Sequence, residues 1–192
     1  MNDQTYLTGH LLIAMPAMQD PNFVKTVTYI CEHSDQGALG IVINRPLGME
    51  LGAIFDQLAL EGAAPELARQ PVLQGGPVHP ERGFVLHEPD AEPAGADFDA
   101  TVAVTDAIRV TTSQDILSAM ARGQGPKRAL VALGYAGWGA GQLENELAQN
   151  AWLSVPATPQ IIFETPFEQR WRESARLLGI DLHTISHQAG HA

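Results

Sequence analysis

Two β-rich segments, TVTYICEH (26–33) and GALGIVINRP (37–46), stand on either side of a tight SDQG connection, and no other feature limits the fold as strongly. Their β-branched and aromatic residues suit a pleated, half-buried surface, and so short a link joins only antiparallel neighbours. The sheet begins early. Further strand-like runs follow at irregular intervals: GHLLIAM (9–15), PVLQG (71–75), GFVLHE (83–88), TVAVTDAIRVTT (101–112), RALVALG (128–134) and WLSV (152–155). They come two or three together before a helix intervenes, which is not the regular alternation of a doubly wound sheet. The expectation is an α+β fold, a mixed and largely antiparallel sheet with helices packed against it.

Between the strands, Leu51, Ile54, Phe55 and Leu58 fall at helical spacing, with Gly62 available to end the helix. In SQDILSAMARG (113–123), Thr112 or Ser113 can cap and Gly123 can terminate. In TPFEQRWRESARLLG (165–179), Thr165 and Pro166 read as cap and first helical residue. Phe167, Trp171, Ser174, Ala175 and Leu178 then share one face. Pro77 and Pro80 in GPVHPER (76–82) are expected to stop the strands that flank them. Histidines 183, 187 and 191 repeat every four residues, but Gly190 and the chain end suggest a frayed tail.

The chain of 192 residues is 45% hydrophobic, enough to fill one domain over residues 1–192. A formal charge of -11, from 22 acidic against 11 basic residues, opposes direct binding to a nucleic acid unless folding gathers the bases. The only adjacent basic pair is Lys127 and Arg128. EPDAEPAGADFDA (88–100) reads as a solvated acidic loop. A single cysteine, Cys31, rules out an intramolecular disulfide and a tetrathiolate zinc site. The first twenty residues make a poor signal peptide, and nothing approaches the roughly 18 apolar residues of a membrane span. A soluble cytoplasmic protein is expected.

The stretch LGYAGWGAGQLENELAQN (133–150) places Gly134, Gly137, Gly139 and Gly141 ahead of a helix carrying Leu143 and Leu147. Such geometry can present backbone N–H groups to an anion. Here the Gly-Lys-Ser/Thr ending is missing, and Glu144 and Glu146 would repel a phosphate. A structural corner packed under Trp138 is the favoured reading, with Gly137, Trp138 and Gly139 retained as candidate contacts to a ligand that is not anionic.

Cys31 and His33, two apart in a strand, would share one face with Cα atoms ~6.5 Å apart. That is a possible nucleophile and base, weighed against an ordinary buried thiol. Asn44 and Arg45 arrive at a strand end, where Arg45 could hold a carboxylate partner or make a local salt bridge. His33, His79, His87 and Glu32 lack any spacing that marks a metal site, so neither a metal nor a cofactor is expected. No G-x-S-x-G elbow and no H-E-x-x-H helix are present.

Taken together, GHLLIAMPAMQDPNF, YICEHSDQGALGIVINRPL, VLQGGPVHPERGFVLH, TSQDILSAMARGQGP, LGYAGWGAGQLENELAQNAWL and RWRESARLLGI resemble the bacterial AlgH/YqgE family over nearly the whole chain. Cys31, Glu32, His33, Asn44, Arg45, Pro46, Gly75, Gly76, Pro77, His87 and Gly134 to Glu144 carry the match. The resemblance implies an α+β domain whose mixed sheet is partly rolled into a pseudo-barrel. For function it implies little: the family takes its name from a proposed regulatory role in alginate production, that of a transcriptional regulator, and brings no established catalytic mechanism.

Two functions are therefore in view. The first is a regulatory or binding protein acting through a protein or small-molecule partner. The alternative is a small enzyme using His33, with Cys31 or His87, in a cleft floored by Asn44 and Arg45. It needs these groups within ~3 Å or one water of each other, and separations beyond about 10 Å would remove it.

Overall fold

The computed structural model describes residues 5–89 and 98–188. β2 (Val27–Ser34) and β3 (Gly37–Val42) form the expected antiparallel hairpin. β1 (His10–Ala14) lies on the other side of β2 and is flanked in turn by β10 (Trp152–Pro156). From β3 the ladder continues through β9 (Ala129–Gly139), β6 (Val78–His87), β8 (Arg109–Thr111) and β7 (Thr101–Ala103). β4 (Pro46–Glu50) branches off, antiparallel to β5 (Pro71–Gln74), and β5 runs parallel to β9. That parallel pair makes the sheet mixed, while its largely antiparallel body curls into a half-barrel with helices around it.

Alternation along each strand divides the apolar residues between two faces. Leu11, Ile13, Tyr29, Ile41, Leu86 and Leu130 fill the inside of the curl. Ala175 of α6 (Arg170–Arg176) joins them, and Trp171 packs against them half-buried. On the opposite face, Leu12, Ile30, Trp138 and Trp152 lie with Leu143 of α4 (Gln142–Ala148). Farther along that face, Val85 and Val131 pack against Leu51 and Phe55 of α1 (Leu51–Gln57) and Ile116 and Met120 of α3 (Asp115–Ala121).

Several local expectations are revised. The strand read as ending at Pro46 stops at Val42, and Pro46 opens β4. β6 starts between the two prolines and includes Pro80, at the cost of a break in its ladder with β9 between Val78 and Gly83. β9 runs through the glycine-rich stretch as far as Gly139, so the corner is confined to residues 140–141, where Gly141 has φ 74°. Two short helices, α2 (Pro65–Ala68) and α5 (Pro159–Phe163), carry no periodic signal; Thr158 caps α5 by accepting the N–H of Ile161. α1 ends at Gln57, well before Gly62. Gln114, not Thr112 or Ser113, precedes α3.

Near the end of the chain, Phe167–Gln169 is a 3-10 turn, and α6 begins only at Arg170. Leu178 is 39% exposed and leaves the expected face, which buries Arg170 instead. Of the segment read as a frayed tail, residues 183–188 belong to α7 (Leu182–Gln188), anchored by the buried Leu182, while Gly190 and His191 lie outside the described residues. Most of the acidic loop lies outside the described residues. Of its ends, Glu88 is paired with Arg128 and is not simply solvated. Among the described residues, no helix is long and apolar enough to cross a membrane.

Candidate functional site

A β-bulge decides the fate of the Cys31 and His33 pair. Ile30 opposes Gly40 and Glu32 opposes Leu39, leaving Cys31 as the extra residue. An extra residue shifts the side-chain parity of the strand. Cys31 therefore sits inside the curl among Tyr29 and Ile41, whereas His33 turns toward Leu7 and α4. There its Nδ1 accepts the N–H of Leu7 at 2.9 Å, and its Nε2–H donates to Glu144 Oε1 at 2.7 Å. Both ring nitrogens are occupied, so His33 has none left to take a proton from a substrate. The acidic residue that argued against a phosphate is thus the anchor of a buried histidine. Burial works against the Glu144 charge, but a backbone N–H and His33 outweigh it and hold the carboxyl below its usual range.

Burial, reinforced by the charge of Glu32, pushes the Cys31 thiol up to about 12. An unfolded cysteine ionises near pH 8.5, so the native state keeps its proton over a range where the unfolded state loses it. The stabilisation from this difference is complete below about pH 8.5 and disappears as pH rises toward 12. Tyr29, raised by burial in the same cluster, acts in the same direction above its own usual value. Cys31 is expected to stay inert to a chromogenic disulfide reagent at pH 8 until the protein is unfolded. Cys31→Ala is expected to flatten the alkaline limb of the stability curve. Rapid labelling of the native thiol would contradict this placement.

Asn44 and Arg45 have structural partners. Asn44 accepts the N–H of Val27 and donates to the carbonyl of Lys25. Arg45 donates to the carbonyls of Pro21, Asn22 and Val24, closing the turn ahead of β2 in place of the carboxylate contact anticipated for it. The aromatic corner is equally committed. Trp138 and Trp152 both donate their indole N–H to Glu146 Oε2, at 2.8 and 2.9 Å. Gly137 and Gly139 pair with Leu39 and Gly37 of β3.

His87 lies far from this group. His33 opposes Ala38, which opposes Trp138 of β9, whereas His87 opposes Ala129 at the other end of the same strand. At ~3.3 Å per residue the two histidines are separated by roughly 30 Å of strand. The cleft that would unite His33 with His87 does not form. His87 Nδ1–H donates to the Glu88 carbonyl, and Nε2 accepts from the Thr111 hydroxyl at 2.8 Å. A hydroxyl on an imidazole is a hydrolase-like contact, but Thr111 is fully buried and bonded to Thr101 as well. The pair ties β8 to β6. Among the described residues, no three His, Cys, Asp or Glu side chains gather as a metal site would require.

Thr111 does border the cavity that sequence reasoning missed. A pocket of about 410 Å³ opens between α1 and α3 over the outer face of β6 and β9. Ile54, Leu58 and Leu117 form its walls, and Val85, Val131 and Leu133 its floor. Gln57, Thr112 and Gln114 stand at the rim with side chains that bond to nothing among the described residues. Glu81 is the one carboxylate of the lining. Its own backbone N–H and His79 hold it below its usual range, so it is charged near neutrality. Size, apolar floor and a few convergent polar groups are the marks of a ligand site. Six elements contribute, so no local motif could reveal it.

Four of the basic residues are tied to partners within the protein. Arg128 is held by Glu88 and Glu164, and Arg176 by Glu173. Arg170 is buried, donating to the carbonyls of Thr165 and Ile43 with its guanidinium 4.5 Å from the Phe167 ring centre; desolvation lowers it to about 10. With Arg45 these make four cations already engaged within the protein.

Comparison with known proteins places this arrangement in context. A family profile described as AlgH-like matches residues 11–183. A UPF0301 protein from Nitrosospira multiformis is 54% identical over 186 residues, 97% of each chain, and one from Thiobacillus denitrificans is 54% identical over 187 residues, again 97% of each. The solution structure of AlgH from Pseudomonas aeruginosa superposes with a TM-score of 0.76 at 48% identity, covering 100% of this chain and 99% of that one. A crystal structure from Corynebacterium diphtheriae shares the fold, with a TM-score of 0.72 at 20% identity over 92% and 90% of the two chains. With the match spanning the half-barrel and the helices around it, the chain belongs to the AlgH-like family.

Proposed function

We propose that the protein is a non-catalytic binding protein whose working site is the pocket between α1 and α3, and that it regulates by contacting a partner there. One observation carries the reading: the cavity is apolar below, with free amides and the single carboxylate of Glu81 above, while the reactive side chains singled out in the sequence are bonded into the fold. A neutral or cationic occupant suits this lining. An anionic one would meet Glu81 and a net charge of -11. The transcriptional role suggested by the family's name would then be exerted through a partner and not by gripping DNA, since at least four of the cations are engaged internally.

The test is a titration of the ¹⁵N-labelled protein with phenol as a neutral probe and with inorganic phosphate as an anionic one, beside an anisotropy titration with labelled duplex DNA at ~150 mM salt. Phenol is expected to shift the amides around Leu58, Val85, Gln114 and Leu133, and phosphate to leave them in place. DNA is expected to bind no tighter than the ~10⁻⁴–10⁻⁶ M of non-specific contact. Sequence-specific nanomolar binding to DNA would overturn the reading, as would phenol shifts confined to other regions.

A further inference from the structure

The strand that floors the pocket has a free edge. On one side β9 pairs with β6 at Val78 and again from Gly83 to His87, residues 79–82 being bulged out of the ladder; on the other, β8 pairs with it only from Val85 to His87, opposite Thr111 to Arg109. Beyond Thr111 the chain turns away into α3. Among the described residues no strand lies beside Glu81–Phe84 on that side, and Glu81, Gly83 and Phe84 all line the cavity. Sheet edges of this kind are templates for another strand unless they are covered.

Gly83 gives the edge its meaning. It is exposed, has no left-handed φ, and a Cβ built on it would meet only the Cδ2 of Leu133, at 3.9 Å. Neither the backbone nor the packing requires glycine there. At Gly76 and Gly134, by contrast, a Cβ would collide with backbone atoms of the opposing segment. A side chain at position 83 would stand beside Leu133 over the cavity floor. Its absence leaves the floor beside Leu133 open to a side chain of whatever pairs with the edge.

Resting on the reading of the pocket given above, we propose that its occupant is an extended peptide segment of a partner protein, added as a strand along the β6 edge at Gly83–Phe84, beyond the end of its pairing with β8. Main-chain hydrogen bonds on alternate residues would supply the affinity, and side chains on one face the specificity. The laddered part of this edge, Gly83–Phe84, is ~7 Å long at ~3.3 Å per residue, which fits about two or three paired residues of the segment, with the rest lying across the cavity. One apolar side chain settles on Val85, Val131 and Leu133, and the free amides of Gln57 and Gln114 bracket it. Charge fixes the rest: with Glu81 at the mouth and a net charge of -11, the segment is neutral or basic.

The experiment is selection of random ten-residue peptides displayed on phage against the full chain, followed by synthesis of the enriched sequences. Enriched peptides are expected to carry apolar residues at alternate positions and few acidic ones, and to shift the amides of Gly83, Phe84 and Leu133. N-methylation of alternate residues in one register is expected to weaken binding at least tenfold, and methylation in the other register to leave it nearly intact. Gly83→Val is expected to weaken binding at least tenfold while melting within about 2 °C of the parent. The N-methylated peptides give the same answer without any protein variant. Failure to enrich any peptide, or enriched peptides indifferent to both changes, would overturn the proposal. If phenol occupies the pocket while peptides do not, the strand-addition proposal alone is wrong; if phenol avoids it too, the pocket itself has been misjudged.

Discussion

Gly76→Ala is expected to destabilise the protein by about 4 kcal/mol and to lower its melting temperature by roughly 8–16 °C. Gly76 lies in the short connection from β5 to β6 with φ 156°. A Cβ there would be driven into the carbonyl group of Tyr135 and the nitrogen of Ala136. Those atoms belong to β9, which is held by β3 and β5 on one side and by β6 on the other. The obstacle is therefore backbone that cannot move without tearing a ladder. Gly83→Ala, a methyl group added to the same sheet a few residues on, is expected to stay within about 1 kcal/mol of the parent, because β-strands favour a side chain and this one has room. Equal losses at the two positions, measured by thermal melting, would show that the space around Gly83 has been misread.

The second large effect is expected at Glu146. Its Oε2 is the acceptor for both buried indoles, and Phe23 packs on both rings. Glu146→Ala strands two donors in an apolar cluster, at about 1–3 kcal/mol each before relaxation. A net loss of about 3 kcal/mol is expected, or roughly 6–12 °C in melting temperature, together with a shift in tryptophan emission. Glu146→Gln keeps a side-chain oxygen that can accept and is expected to recover most of the loss. A Glu146→Ala protein melting within about 2 °C of the parent would mean that the indoles find other partners. Both glutamates of α4 thus act as fasteners: Glu144 holds His33, and Glu146 holds the tryptophans.

What could be read from the sequence was what local periodicity encodes. The β-branched and aromatic residues of TVTYICEH and GALGIVIN and the short link between them marked the β2/β3 hairpin, the spacing of Leu51, Ile54 and Phe55 marked α1, and the irregular grouping of strands marked α+β. The resemblance to a known family supplied the curl of the sheet. What stayed hidden depends on distant partners. The bulge at Cys31 leaves no mark in composition, yet it alone sends Cys31 and His33 to opposite faces. The glycines of 134–139 looked like a turn because glycine usually punctuates, but β9 passes through them, with only Gly134 left-handed at φ 78°. α2 and α5 are too short to show a period. The pocket is built from six elements, so residues that seemed ordinary in isolation, Gln57, Gly83, Gln114 and Leu133, converge there. The histidines and the cysteine that attracted notice had their bonding capacity filled by Leu7, Glu144, Thr111 and burial.

The division of labour between a bonded-in set of reactive side chains and an open cavity with an apolar floor is tested most directly by mapping the whole surface with small organic solvents. Crystals of the protein soaked separately in isopropanol, phenol and N-methylacetamide are expected to show all three molecules overlapping between α1 and α3, against Val85, Val131 and Leu133, with the amide probe bonded to the β6 edge at Gly83 or Phe84. Probes clustering instead around His33 and Glu144 or around Arg45, with the α1/α3 cavity empty, would contradict it.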